Sequence, residues 1–329
     1  MSLPAAAGVS PVTLAAKAFV GSHKAEAEAL GDDLAALVSD PIAFVDTLAA
    51  GFERIADPLA PDGIRSVTPG LGAVIGVRVP LLGAVHGRFA RGTRRAPSSQ
   101  VLACTAKLLD QEMAEIRWFG ISNFERLLAT DPGPTWQLMR RVAAAAHEWI
   151  TVDTLAHPYG AGILRDPGRW VELERLIDSP SRWERRLVGS TVATMPFVKS
   201  VAGGRDPEAR TKGLALVGRL MGDAEPDVQK ALSWALRNLA ALDCPAVVAF
   251  VDAEAETARA SGDGNRAWVI RDCLSKLPAS DAARLRAGLQ GIRRGPRGSS
   301  ALAAASIPPA PSTNRTRPPA AVATRSSAT

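Results

Sequence analysis

Along most of this chain apolar residues recur every three to four positions, the spacing that gives an α-helix one buried face. The segment after Pro226 shows it well. Val228, Leu232, Ala235, Leu236 and Leu239 form one stripe, while Lys230, Trp234 and Arg237 gather on another side. The stripes are short and punctuated by turn signals. Asp131-Pro132-Gly133-Pro134 and Asp166-Pro167-Gly168 separate neighbouring helices, and Asp206-Pro207 and Glu225-Pro226 mark further starts. Ser179-Pro180 reads as an N-cap followed by proline at the first helical position. The Gly- and Val-rich stretch from Pro69 to Pro80 breaks the pattern and is expected to be a loop leading into a helix near Val79.

Short breaks between paired helices, with no clear strand, predict an all-α fold. Stacked pairs of roughly 40 residues imply a HEAT-like helical-repeat solenoid with a concave face. The composition agrees, because alanine and leucine dominate and β-branched runs are short. The chain has 329 residues, enough for a sizeable core. Its most apolar stretch, Leu71 to Val85, is broken by Arg78 and Pro80, so no membrane span is expected. The N-terminus lacks a basic region followed by an apolar core and cleavage site, which points to a cytoplasmic protein. The three cysteines, Cys104, Cys244 and Cys273, are scattered and form no Cys-x-x-Cys pair, so they read as small core residues in a reducing compartment.

The net charge of +6 changes the picture only after it is divided. Residues 293–329 hold six arginines (Arg293, Arg294, Arg297, Arg315, Arg317, Arg325) and no acid, which leaves 39 − 6 = 33 basic residues against 33 acidic ones elsewhere. The body is therefore neutral, and any nucleic-acid face on it must come from local clustering. The segment 293–329, rich in Ala, Pro, Ser and Arg, is expected to be a disordered basic tail. Residues 1–11 are expected to be flexible, which leaves 12–292 as one helical-repeat domain.

Three segments carry candidate chemistry. In the first, Trp149 and Asp153 are four apart and share a helix face, together with Val142, Ala145 and Ala146 if one helix runs through all of them. Two readings fit Asp153: a structural carboxylate satisfied by an arginine or by backbone donors, or a carboxylate at the floor of a groove beside an aromatic wall. In the second, Trp183 shares its face with Leu187, Ser190 and Thr194 and reads as core, while Arg182, Arg185 and Arg186 cluster at a helix start, where free N–H groups suit a phosphate. In the third, Trp234 stands beside Lys230 and Arg237. That grouping suits stacking on a sugar or base with phosphate contacts nearby, or else a tryptophan covered by the next repeat. Arg88, Arg91, Arg94 and Arg95 read as an exposed helix end. The four histidines, His23, His86, His147 and His157, show no metal-ligand spacing, and no phosphate-binding glycine loop or serine nucleophile motif is present. Neither metal nor cofactor is expected.

In order and spacing these segments resemble the AlkD-type DNA alkylation-repair glycosylases, a family of HEAT-like repeat proteins. The likeness runs from roughly Phe44 to Leu289 and rests on Trp149 with Asp153, Trp183-x-Arg185-Arg186, the Lys230 to Arg237 segment, and Gly76-Val77-Arg78-Val79-Pro80. The resemblance implies that Asp153 is the catalytic carboxylate, that Trp149 and Trp234 contact the deoxyribose of the damaged nucleotide, and that Arg186 contacts DNA. Arg185, Lys230 and Arg237 join the expected DNA-binding set through their placement. The implied partner is double-stranded DNA with alkylated bases, bound by a monomer through a concave DNA-binding face. Two positions depart from the family pattern. Ile150 stands where a second acid is typical, and residues 54–75 contain no aromatic side chain that could reach the DNA.

The implied activity is hydrolysis of the N-glycosidic bond of cationic N3- or N7-alkylated purines. Such a base leaves neutral, so no general acid is needed, and one carboxylate can stabilise the oxocarbenium-like sugar and orient water. The alternatives are a non-catalytic HEAT-like protein that binds distorted or branched DNA and a helical protein–protein scaffold.

Overall fold

The computed structural model describes residues 10–294. The expected flexible N-terminus and basic tail lie outside the described residues at 1–9 and 295–329, and the described residues begin and end in contact with the helical body. Pro11 already opens the first helix, because Ser10 Oγ accepts the Thr13 N–H at 3.2 Å and caps it. At the other end the Arg294 guanidinium sits 4.1 Å from the Trp268 ring centroid, a cation–π contact that holds Arg294 to the helical body.

The described residues are all-α. The helices are α1 (Pro11–Ala36), α2 (Pro41–Arg54), α3 (Ala60–Val67), α4 (Val79–Gly92), α5 (Ser98–Leu109), α6 (Ala114–Ile121), α7 (Phe124–Thr130) and α8 (Pro132–Ala145). They continue with α9 (Trp149–Arg165), α10 (Trp170–Arg175), α11 (Arg182–Thr194), α12 (Pro207–Leu220), α13 (Pro226–Ala240), α14 (Cys244–Ser261), α15 (Gly264–Cys273) and α16 (Ala279–Gly288). Proline within the first two positions of α1, α2, α8, α12, α13 and α14 explains why so many starts are visible in the sequence, since its missing N–H costs nothing there. One start is displaced. Ser179-Pro180 does not open a helix: Ser179 Oγ accepts the Ser181 N–H at 3.0 Å in a local turn, and α11 begins at Arg182.

Two hydrophobic clusters bind these helices into a helical-repeat solenoid. In the first, Phe44, Phe52, Phe89 and Phe119 from α2, α4 and α6 meet with ring centroids 5.3 to 6.4 Å apart, at tilted or edge-on angles. The second extends through α8 to α16, and Leu82 packs against both. Between α3 and α4, the 68–78 loop is tied down by the buried Glu115, whose carboxylate accepts the Ile75 and Gly76 N–H groups, at 2.7 Å from Gly76. An isolated bridge between Ala56 and Val77 is the one extended pairing among the described residues.

In the second cluster alternate helices are neighbours. α11 packs between α9 and α13, and α13 packs on α15, so these four form one row. α12, α14 and α16 form a second row beside it. The approach of α11 to α13 depends on Gly189, where a Cβ would come within 2.9 Å of the Ala231 Cβ and 3.0 Å of its carbonyl carbon. No real Cβ tolerates the first of these distances, so an alanine there must push the helices apart. Gly189→Ala is therefore expected to destabilise the fold by about 1–3 kcal/mol, read from the shift in the urea unfolding midpoint at unchanged slope.

Candidate functional site

α9 begins in a way the sequence pattern hides. Its run of small residues suggests one helix through 142–153, but α8 ends at Ala145 and α9 starts at Trp149. Val142 and Ala145 therefore do not share a helix with Trp149 and Asp153. The break is made by Glu148, whose carboxylate accepts from Ile150 N–H at 2.5 Å and Thr151 N–H at 2.8 Å. Glutamate is an uncommon N-cap, yet Glu148 is buried and satisfies two otherwise orphaned donors. Trp149 is thus fixed as the first helical residue, and its indole N–H donates to the Val67 carbonyl at the end of α3, 3.1 Å away.

One turn further along, Asp153 meets α11. Arg186 Nε donates to Asp153 Oδ1 at 3.0 Å and Nη2 to Oδ2 at 2.7 Å, a two-pronged pair, and Ser190 Oγ adds a third bond to Oδ1 at 2.7 Å. Arg186 Nη1 continues to the Asp227 carbonyl on α13 at 2.6 Å. The Arg186 side chain is only 6% exposed and that of Asp153 20%. Asp153 is therefore satisfied by an arginine and also reaches an open surface.

That surface is a cleft of about 410 Å³ along the row of alternate helices. Trp149 and Asp153 come from α9, Arg186 from α11, Asp227, Lys230, Trp234 and Arg237 from α13, and Asp272 from α15, with Val67 at the α3 edge. Three cations face three carboxylates, so the cleft is charge-balanced. Two of the cations are engaged: Arg186 with Asp153, and Arg237 with Asp272. Lys230 is exposed and has no ion-pair partner among the described residues. Trp234 is half-buried, with its helix's core stripe of Val228, Leu232, Ala235, Leu236 and Leu239 turned inward.

Of the residues expected to bind DNA, Arg185 alone lies outside this cleft. Its guanidinium is consumed elsewhere, with Nε on Asp223 Oδ2 at 2.6 Å and Nη1 on the Ser179 and Pro180 carbonyls. It staples the turn before α11 to the loop after α12, so its guanidinium is engaged by protein oxygens away from the cleft. Trp183 packs against the core with the Arg182 guanidinium 4.7 Å from its ring. Asp272 completes the polar lining, and the buried Ser190 and Ser233 support it from behind; no local pattern in the sequence points to these pairings. Their carboxylate partners lie more than thirty residues away, although Ser233 also bonds locally with the Lys230 carbonyl and with Arg237 four residues on. Among the described residues no group of three or more His, Cys, Asp or Glu could hold a metal ion, and no helix is long and apolar enough to cross a membrane.

The far part of α9 is anchored by a titrating pair. His157 Nδ1 lies 3.2 Å from Glu125 Oε2 on α7. The bond to Glu125 raises the His157 pKa above its ordinary 6.5, and the same bond lowers that of Glu125 below its ordinary 4.5.

The fold and this cleft define a class: an all-α repeat protein that presents a carboxylate, two tryptophans and an exposed cation from one row of helices. A family model described as DNA alkylation repair enzyme matches residues 48–277. The chain belongs to that family, and its role is DNA repair. No curated relative matches the chain.

Two expectations follow from α9. Glu148→Ala removes its cap and should cost about 0.5–2 kcal/mol, measured by chemical denaturation. The second concerns pH. The stability from His157 is complete below its unfolded pKa and is lost as pH rises through the raised folded value. That from Glu125 is complete above its unfolded pKa and is lost as pH falls through the depressed folded value. The pair therefore contributes most near pH 5–6, between the two ordinary values. The wild-type melting temperature relative to His157→Gln should be highest in that window and should converge with it at the alkaline side.

Proposed function

We propose that this repair enzyme is a DNA glycosylase that hydrolyses the N-glycosidic bond of cationic N3- or N7-alkylated purines. The observation that carries the reading is Asp153: a carboxylate with both oxygens fixed by Arg186 and Ser190, yet still part of an open cleft between Trp149 and Trp234. A fixed acceptor costs no reorganisation when positive charge develops on the sugar, which is where electrostatic catalysis is most effective. In this reading the C1′–N bond breaks as the base leaves neutral. Asp153 stabilises the oxocarbenium-like sugar and takes a hydrogen bond from the water that attacks C1′. The two indoles supply flat walls that attract a cationic nucleotide.

In this reading Arg186 acts through Asp153. With Nε, Nη1 and Nη2 all donating to protein oxygens, it holds Asp153 and leaves backbone contacts to Lys230 and Arg237. The charge balance of the cleft then predicts modest affinity, because phosphate neutralisation supplies most of the free energy of non-specific DNA binding.

The test is release of free base from duplex DNA carrying 7-methylguanine. Wild type is expected to release it, and Asp153→Asn to lose at least about tenfold in rate, roughly 1.4 kcal/mol of transition-state stabilisation. Retained DNA binding without base release by the wild type would support a non-catalytic protein for distorted or branched DNA.

A further inference from the structure

The two arginines of the cleft are held in opposite ways. Each belongs to a carboxylate–arginine–serine cluster in which Arg and Ser are four apart on one helix: Arg186 and Ser190 on α11 against Asp153, and Ser233 and Arg237 on α13 against Asp272 of α15. In the first cluster the flat Nε–Nη2 edge of the guanidinium is spent on Asp153. In the second, Nη1 alone makes every bond: to Asp272 Oδ2 at 2.5 Å, to the Asp272 carbonyl at 3.1 Å and to Ser233 Oγ at 3.2 Å. Ser233 Oγ in turn donates to Asp272 Oδ2 at 2.5 Å. Nε and Nη2 of Arg237 have no partner among the described residues, and the side chain is 27% exposed on the cleft.

A guanidinium pinned through one nitrogen, with its two-donor edge free, matches the spacing of two oxygens on a phosphate. We propose that Asp272 and Ser233 are positioning residues that aim the Nε–Nη2 edge of Arg237 at a phosphate of the DNA backbone. This rests on the cleft being the DNA-binding surface. Holding an arginine in one rotamer removes ordering cost from the bound state, so the clamp contributes affinity without touching DNA. Asp272 has no other evident reason to face the cleft, where its charge opposes phosphate.

The sign of its effect distinguishes aiming from simple electrostatics. If Asp272 acts only as a negative charge, Asp272→Asn relieves repulsion and tightens DNA binding. If it aims Arg237, the same change weakens binding although the protein becomes more positive. The assay is fluorescence anisotropy with a lesion-free duplex, so the outcome does not depend on base release. Thermal melts confirm folding, and Ser233→Ala tests the clamp at constant charge. Arg237→Ala, Asp272→Asn and Ser233→Ala are each expected to raise Kd at least about threefold, with the slope of log K against log salt falling by about 0.9 for Arg237→Ala, one phosphate contact. Asp272→Asn added to Arg237→Ala should weaken binding no further. Tighter or unchanged binding by Asp272→Asn, an additional loss in the Arg237→Ala background, or no duplex binding by wild type at low salt would each overturn the proposal.

Discussion

The guanidinium of Arg186 joins three helices at one buried point. It receives α9 through Asp153 and α13 through the Asp227 carbonyl, and it belongs to α11, the helix between them. An ion pair this buried adds little net stability, because desolvation cancels most of the attraction. What it supplies is geometry. Removing the arginine would strand a mostly buried carboxylate, and removing Asp153 would strand a cation that is 6% exposed. Each partner therefore holds the other in place, and the width of the cleft between α9 and α13 is set at the same point.

From that point outward, the cleft reads as a division of labour among like residues. The carboxylates Asp153 and Asp272 each face an arginine and a serine, but one carboxylate is the group being held and the other does the holding. Lys230, without an ion-pair partner among the described residues, is a free point charge that the proposed reading assigns to a backbone phosphate. Trp149 is fixed by the carbonyl of Val67, the last residue of α3 before the loop tied down through Glu115. The N-terminal helices thus reach the site through one short stretch of chain.

Much of this was legible in the sequence, and for local reasons. Lys230, Trp234 and Arg237 lie within one helix, so the apolar stripe of Val228, Leu232, Ala235, Leu236 and Leu239 assigns their side of it unaided. Trp149 and Asp153 share a face by the same i,i+4 rule. The features that escaped depend on non-local pairing or on unusual local chemistry. Arg185 and Arg186 are adjacent and chemically identical, and only the fold sends one to Asp223 and the other to Asp153. Ser190 read as part of a core face beside Trp183, and nothing nearby in the chain announces a carboxylate partner 37 residues away. The alanine run before His147 promised a continuous helix because a glutamate cap is not a strong stop signal.

Gly189 gives the solenoid a mechanical property beyond its packing. In a stack of helices each element takes its position from the one before, so a small tilt at one interface is magnified along the stack, as at the pivot of a lever. The α11–α13 interface is the pivot between Asp153 on one side and Arg237 with Asp272 on the other. A missing side chain there sets the aperture between them, and groups that never touch Gly189 inherit their spacing from it.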